Sequence, residues 1–194
     1  MTAPAKPRLK RGRVYRTKEF ARWGANPTRL AKRLVREGEL VELRHGLFYR
    51  SERSRFGAVP PSDRELMRAF LDDGPFLFSG PGQWNTLGLG STAVFADQLV
   101  YNAKRSGVFQ FGSRRFVLRR VRFPRDPSRE WFAVDLLENR QLVGAGLHEL
   151  GEALAAALVS GRLCAEELRR AAARYGTKRT QAVVSRALEV AGAT

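Results

Sequence analysis

The chain has 194 residues, 43% of them hydrophobic, and its 35 Lys and Arg against 19 Asp and Glu give a formal net charge of +16. That length holds one domain or two small ones, with apolar content ample for a core. No apolar run approaches the ~20 residues that span a bilayer, and no apolar stretch or small-residue cleavage site follows the basic N-terminus, so no signal peptide is expected. The single cysteine, Cys164, excludes an internal disulfide framework and a Cys-based metal cage, and points to a reducing cytoplasm.

An excess of this size recruits polyanions, either nucleic acid or an anionic membrane. It is unevenly spread: residues 1–60 carry 16 basic and 5 acidic side chains, and residues 104–129 carry 9 and 1. The segment between them, 61–103, is net acidic with 2 against 5. Two concentrated basic segments make two contact surfaces, or one surface assembled from both. Residues 1–13, with Pro4, Pro7 and five basic residues, read as a flexible basic arm.

Residues 14–57 form the first predicted domain. Thr17 is the expected N-cap of a short helix carrying Phe20, Ala21 and Trp23, stopped by Gly24. Asn26-Pro27 starts a second helix, because Asn caps and Pro is tolerated at the first helical position. Gly38 stops it. At about 100° per residue, Leu30, Leu34, Ala31 and Val35 share one apolar sector. Lys32, Arg36, Arg29 and Arg33 collect on the opposite ~100° of the helix, with Thr28 bordering them. Next, Leu40, Val41, Leu43, Leu47, Phe48 and Tyr49 flank a turn at Arg44-His45-Gly46, which reads as a hairpin. Helix, turn, basic helix and hairpin is the order of a winged helix-turn-helix, whose second helix enters the major groove. The predicted nucleic-acid-binding set is Arg16, Thr28, Arg29, Lys32, Arg33, Arg36, Arg44 and His45. Arginine suits both phosphates and guanine edges.

Residues 58–194 read as a mixed α+β domain. Ser62-Asp63-Arg64-Glu65 has the form of a reciprocal capping box ahead of Leu66, Met67, Phe70 and Leu71, and Asp72-Asp73-Gly74-Pro75 ends that helix. Phe76–Ser79 is strand-like, and Gly80-Pro81-Gly82 lacks either phosphate-loop pattern. Gln83–Leu87 reads as a short helix. Ala93–Ala103, Val108–Phe111 and Arg115–Phe123 read as strands, the last two joined by Gly112-Ser113. Arg114, Arg115, Arg119, Arg120 and Arg122 then form a possible second basic surface, or a charged edge that discourages strand pairing.

Leu147–Val159, Ala165–Tyr175 and Lys178–Val190 are three C-terminal helices whose short connections favour a small antiparallel bundle. Cys164 lies near a helix start without a base partner and is expected to be a half-buried packing residue. Neither His45 nor His148 sits in a catalytic or metal-binding pattern. Asp126 and Asp135 read as solitary carboxylates. The expectation is therefore no enzyme, no metal and no cofactor.

The blocks "YRTKEFARWGANPTRLAKRLVREGELVELRHGLFYR", "FLFSGPGQWNTLGL", the basic β segment and "EWFAVDLLENR" together resemble the AbiEi-type antitoxins of bacterial abortive-infection toxin–antitoxin pairs, over residues 14 to about 160. The resemblance implies a transcriptional repressor that binds inverted repeats in its own operator, in double-stranded DNA, and neutralises a nucleotidyltransferase-like toxin. The expected location is cytoplasmic and nucleoid-associated, and no membrane partner is expected, because the basic helix is short and its apolar face belongs to a core. The alternative is a non-catalytic RNA-binding protein using residues 104–125, with Phe109, Phe111 and Phe116 as a stacking surface.

Overall fold

A computed structural model describes residues 7–55, 57–90 and 97–192, and shows a mixed α+β chain. It divides into two compact units. The first runs through Phe76 and takes in Val108–Arg115, and the second holds Leu77–Gly107 and the chain from Phe116 onward.

In the first unit, β1 (Val14–Arg16) leads into a 3-10 helix at Thr17–Trp23, then α1 (Pro27–Arg36), β2 (Val41–Arg44) and β3 (Leu47–Tyr49). These strands form an antiparallel sheet of order β1–β3–β2. Val14 pairs with Tyr49, and Arg44 pairs with Leu47 after an irregularity between Glu42 and Arg44. A separate hairpin, β4 (Glu52–Ser54) and β5 (Gly57–Val59), precedes α2 (Asp63–Phe70). Tyr15, Phe20, Leu30, Ala31, Leu34, Leu40 and Phe48 make the core under α1 and the small sheet.

Local chemistry explains the boundaries. The Asn26 side chain accepts the Arg29 amide at 2.9 Å, and Pro27 occupies the first helical position. Gly38, at φ +70°, reverses the chain so that Glu39 and Leu40 donate to the Leu34 carbonyl. The 3-10 helix starts one residue earlier than Thr17 predicts: Arg16 is its cap, because Glu19 Oε1 reaches back to the Arg16 amide at 2.9 Å. The Thr17 amide is engaged elsewhere, on the Gly46 carbonyl. At α2, Ser62 Oγ accepts the Glu65 amide at 3.2 Å as expected, but the Glu65 carboxylate accepts the Val14 amide of β1 at 3.4 Å. A partner 51 residues away takes the place of the predicted reciprocal bond.

The predicted arm lies partly outside the described residues, which begin at Pro7. From there the chain is tied down. Leu9 packs against the core, the Lys10 amide donates to the Tyr15 hydroxyl at 2.6 Å, and the Gly12 amide donates to Arg50.

The remaining strands, β6 (Phe76–Ser79), β7 (Asp97–Asn102), β8 (Gly107–Phe111) and β9 (Arg114–Arg120), form a sheet of order β6–β7–β9–β8. Positions 93–96 of the predicted Ala93–Ala103 strand lie outside the described residues. β9 ends three residues short of the predicted Phe123. Side chains replace the ladder there: Asn102 donates to the Arg119 carbonyl at 3.3 Å and Ser106 Oγ accepts the Arg120 amide at 2.9 Å.

The helices of the second unit are α3 (Pro81–Trp84), extended by a 3-10 turn at Asn85–Leu87, then α4 (Arg129–Glu138), α5 (Arg140–Val143), α6 (Leu147–Val159), α7 (Ala165–Tyr175) and α8 (Lys178–Val190). α4 packs mainly on α7, and α6 on α8. α4 is capped by Ser128, whose Oγ accepts the Trp131 amide. Trp131, Val134, Leu137, Leu154, Leu168, Val184 and Leu188 belong to one core.

Candidate nucleic-acid interface

α1 presents two chemically opposite faces. Leu30, Ala31 and Leu34 are buried, while Thr28, Arg29, Lys32, Arg33 and Arg36 are all exposed. The acid beside this row is Glu37, at the C-terminal cap, 3.6 Å from Arg33 Nε with both side chains 48% exposed. A pair so open contributes little and leaves Arg33 available to a stronger anion. The carbonyl end of the helix also favours Arg33 and Arg36 electrostatically. That effect is confined to the last turn and does not account for Arg29 and Lys32.

The β2–β3 hairpin turns at Gly46, whose φ of +79° favours a residue without a Cβ. Arg44 and His45 are exposed on it. The Arg44 guanidinium is not loose: its Cζ lies 5.0 Å from the centroid of the Phe109 ring.

Arg16 stands apart from the predicted set. Its Nη1 lies 2.6 Å from Asp72 Oδ1, and Lys18 Nζ approaches the same oxygen at 2.6 Å. The Lys18 bond first, and Arg16 with it, hold the Asp72 carboxyl below the usual carboxylate range. Asp72 and Asp73 both adopt positive φ, 56° and 55°, which puts their carboxylates beyond the end of α2. Lys10, Arg11, Arg13, Lys18 and Arg68 line a cleft of about 570 Å³ with these acids. Six cations line it against four acids, Glu19 and Glu65 being the other two, and Arg13, Arg16, Lys18 and Arg68 are all ion-paired, so it is a salt-bridged seam more than an anion site.

The predicted second basic surface is divided. Arg114 is half-buried, ion-paired with Asp63 and donating to the Pro61 carbonyl at 2.8 Å. Arg119 is half-buried too, and donates to Asn139 Oδ1 at 2.5 Å. Arg115, Arg120 and Arg122 are exposed. The boundary between the two units also passes between Arg115 and Phe116. Nor do the phenylalanines form a stacking platform: Phe111 and Phe116 are buried in the core, and Phe109 packs on Phe70 with centroids 4.9 Å apart. Apolar strand alternation turned Phe111 and Phe116 inward, where no base reaches them, and half-buried Phe109 is covered by Phe70 and Arg44.

Asp135, read from sequence as solitary, is the centre of a buried network in the second unit. Its Oδ2 accepts Ser79 Oγ and, at 2.9 Å, Trp84 Nε1. Its Oδ1 accepts the Tyr101 hydroxyl at 2.6 Å and Asn139 Nδ2 at 3.0 Å. Burial pushes the Asp135 carboxyl upward, opposed by the Ser79, Tyr101 and Trp84 donors. Burial, with Asp135 beside it, pushes the Tyr101 hydroxyl far above its ordinary value. Tyr101, Arg119, Arg122, Trp131, Glu138 and Tyr175 border a small cleft of about 230 Å³ here. The polar groups on its floor bond to one another, which marks the network as architecture. Spacing along the chain gives no hint of it, because its members come from β6, α3, β7 and the C-terminal end of α4.

Cys164 is exposed, not half-buried, at the N-cap of α7. Its amide donates to Glu130 Oε1 at 3.0 Å. Burial raises the Glu130 carboxyl, but this amide and the Ser128 hydroxyl outweigh it and leave the group lowered. Among the described residues no three His, Cys, Asp or Glu converge as metal ligands. No helix among them is long and apolar enough to cross a membrane.

No protein-family model matches the chain, and no curated protein matches it. Among solved structures it is similar to the Rv2827c protein from Mycobacterium tuberculosis, at a TM-score of 0.54 and 14% identity, over 93% of this chain and 76% of that one. At that identity the likeness is one of fold.

Proposed function

We propose that this chain is a DNA-binding transcriptional repressor whose N-terminal unit works as a winged helix-turn-helix. On its resemblance to the AbiEi-type antitoxins, we further propose that it is the antitoxin of a bacterial abortive-infection toxin–antitoxin pair and represses its own operon. The observation that carries the DNA reading is the exposed face of α1, where Arg29, Lys32, Arg33 and Arg36 stand over a helix docked by Leu30, Ala31 and Leu34. The 3-10 helix and the glycine-turned β2–β3 hairpin flank it in the order such a head requires. In this reading α1 enters the major groove, Thr28 and Arg29 approach base edges near its N-terminal end, and Arg44 and His45 meet the backbone. The reading assigns no catalytic step, metal or cofactor.

The test is binding to a duplex covering the region upstream of the chain's own coding sequence, against a random duplex of equal length. Arg29→Ala and Arg33→Ala are each expected to weaken specific binding by about 1–3 kcal/mol. Equal affinity for both duplexes removes the repressor reading. The antitoxin half is tested separately, by co-expression with a nucleotidyltransferase-like gene neighbouring this one. Restored growth supports it, and unrelieved toxicity removes it while leaving the DNA result intact.

A further inference from the structure

Val108–Arg115 lies far along the chain from the basic module but belongs to the same compact unit. α2 holds this segment at both of its ends. At the start of α2, Asp63 pairs with Arg114, which also donates to the Pro61 carbonyl at 2.8 Å. At its other end, the Phe70 ring meets Phe109 and Phe111 edge-on, with both centroids 4.9 Å away. Arg44 of the β2–β3 hairpin stands over the Phe109 ring, its Cζ 5.0 Å from the centroid, and lies 6.0 Å from that of Phe111. Phe109 and Phe111 thus form a wedge beneath Arg44.

Outside this wedge, alternation along β8 leaves Val108 at 60% exposure and Gln110 exposed, followed by exposed Gly112, Ser113 and Arg115. The segment 107–115 contains two arginines and no acid. Gly112, at φ +62°, makes the turn, and nothing lies within 4 Å of where its Cβ would be. We propose that the β8–β9 hairpin is a second wing. It lies on the phosphate backbone of duplex DNA beside the β2–β3 hairpin, with Ser113 and Arg115 as phosphate contacts and Phe109 as the positioning residue that aims Arg44. This rests on the DNA-binding reading above and adds to it a surface drawn from the second basic segment. An extended arginine held against a ring has fewer orientations to lose on binding, and a hydroxyl and a guanidinium are ordinary phosphate donors.

The experiment measures affinity of the full chain for the upstream duplex by fluorescence anisotropy at several salt concentrations. Wild type is compared with Arg44→Ala, Phe109→Leu, their double variant and Arg115→Ala. Arg44→Ala and Arg115→Ala are each expected to lower the salt slope by about one. Phe109→Leu is expected to weaken binding several-fold, and to add nothing in the Arg44→Ala background. Wild-type affinity and slope in both Phe109→Leu and Arg115→Ala overturn the proposal. Full additivity of Arg44→Ala and Phe109→Leu overturns the positioning role. If Phe109→Leu fails to fold, judged by circular dichroism, Phe109→Tyr replaces it and is expected to keep wild-type affinity. Exposed Arg115 still decides the surface in that case. Absence of any salt-sensitive wild-type binding is a failure of the DNA reading itself, recognisable because it precedes every variant.

Discussion

At the scale of single residues, the contrast between Asp72 and Asp135 shows how context assigns a carboxylate its role. Both looked like ordinary acids in sequence. Asp72 sits at the surface with Lys18 and Arg16 on one oxygen. Its lowered carboxyl contributes stability above the usual carboxylate value of about 4, and that contribution is lost as the pH falls through the folded-state value. Asp72→Ala is therefore expected to lower the urea midpoint at pH 7, with the gap to wild type closing on acidification. Asp135 instead receives four side-chain donors inside the core. Asp135→Asn puts an amide nitrogen where an acceptor is required and strands donors on that side. It is expected to destabilise by about 2–4 kcal/mol in urea unfolding, with DNA affinity of the folded protein unchanged. Neither role is visible from neighbours in the chain: Lys18 lies 54 positions from Asp72, and Ser79, Trp84 and Tyr101 lie 56, 51 and 34 positions from Asp135, with only Asn139 close by, four residues on.

Among the elements, legibility followed periodicity. α1 was readable because one face is apolar and the other cationic, and its start and stop carry Asn-Pro and Gly. The bounds of α6, α7 and α8 match the sequence reading for the same reason. α4 did not stand out, since Trp131, Ala133, Val134, Asp135, Leu136 and Leu137 bury it nearly all round and no polar stripe marks a period. The α7–α8 junction supplies a test at this scale. A Cβ at Gly176 would come 2.8 Å from the Ala172 carbonyl oxygen and 3.1 Å from Thr180 Cγ2. Gly176→Ala is accordingly expected to cost about 1–3 kcal/mol in thermal unfolding, because backbone has to shift. Gly161→Ala meets no such atoms, and its cost is that of positive φ alone.

For the whole molecule, the net charge divides unequally: the first unit carries +11 of the +16 and the second +5. If Lys32, Arg33, Arg36, Arg44 and Arg115 place about five cations on phosphates, log affinity is expected to fall against log salt with a slope of roughly −4 to −5. Anisotropy titrations across a salt series check this. A slope near zero would mean that the exposed arginines of α1 do not meet the backbone. The amino-acid sequence by itself determined the α+β class, the helix of opposed faces and the hairpin that follows it, because each depends on contacts within a few residues of the chain. It also located the two basic segments. Only the tertiary structure decided that Arg114 and Arg119 serve as internal partners, that Asp135 is enclosed by Ser79, Trp84, Tyr101 and Asn139, and that Phe109 lies beneath Arg44. Each of those contacts joins residues brought together by burying apolar surface, and that juxtaposition leaves no local pattern in the chain to read.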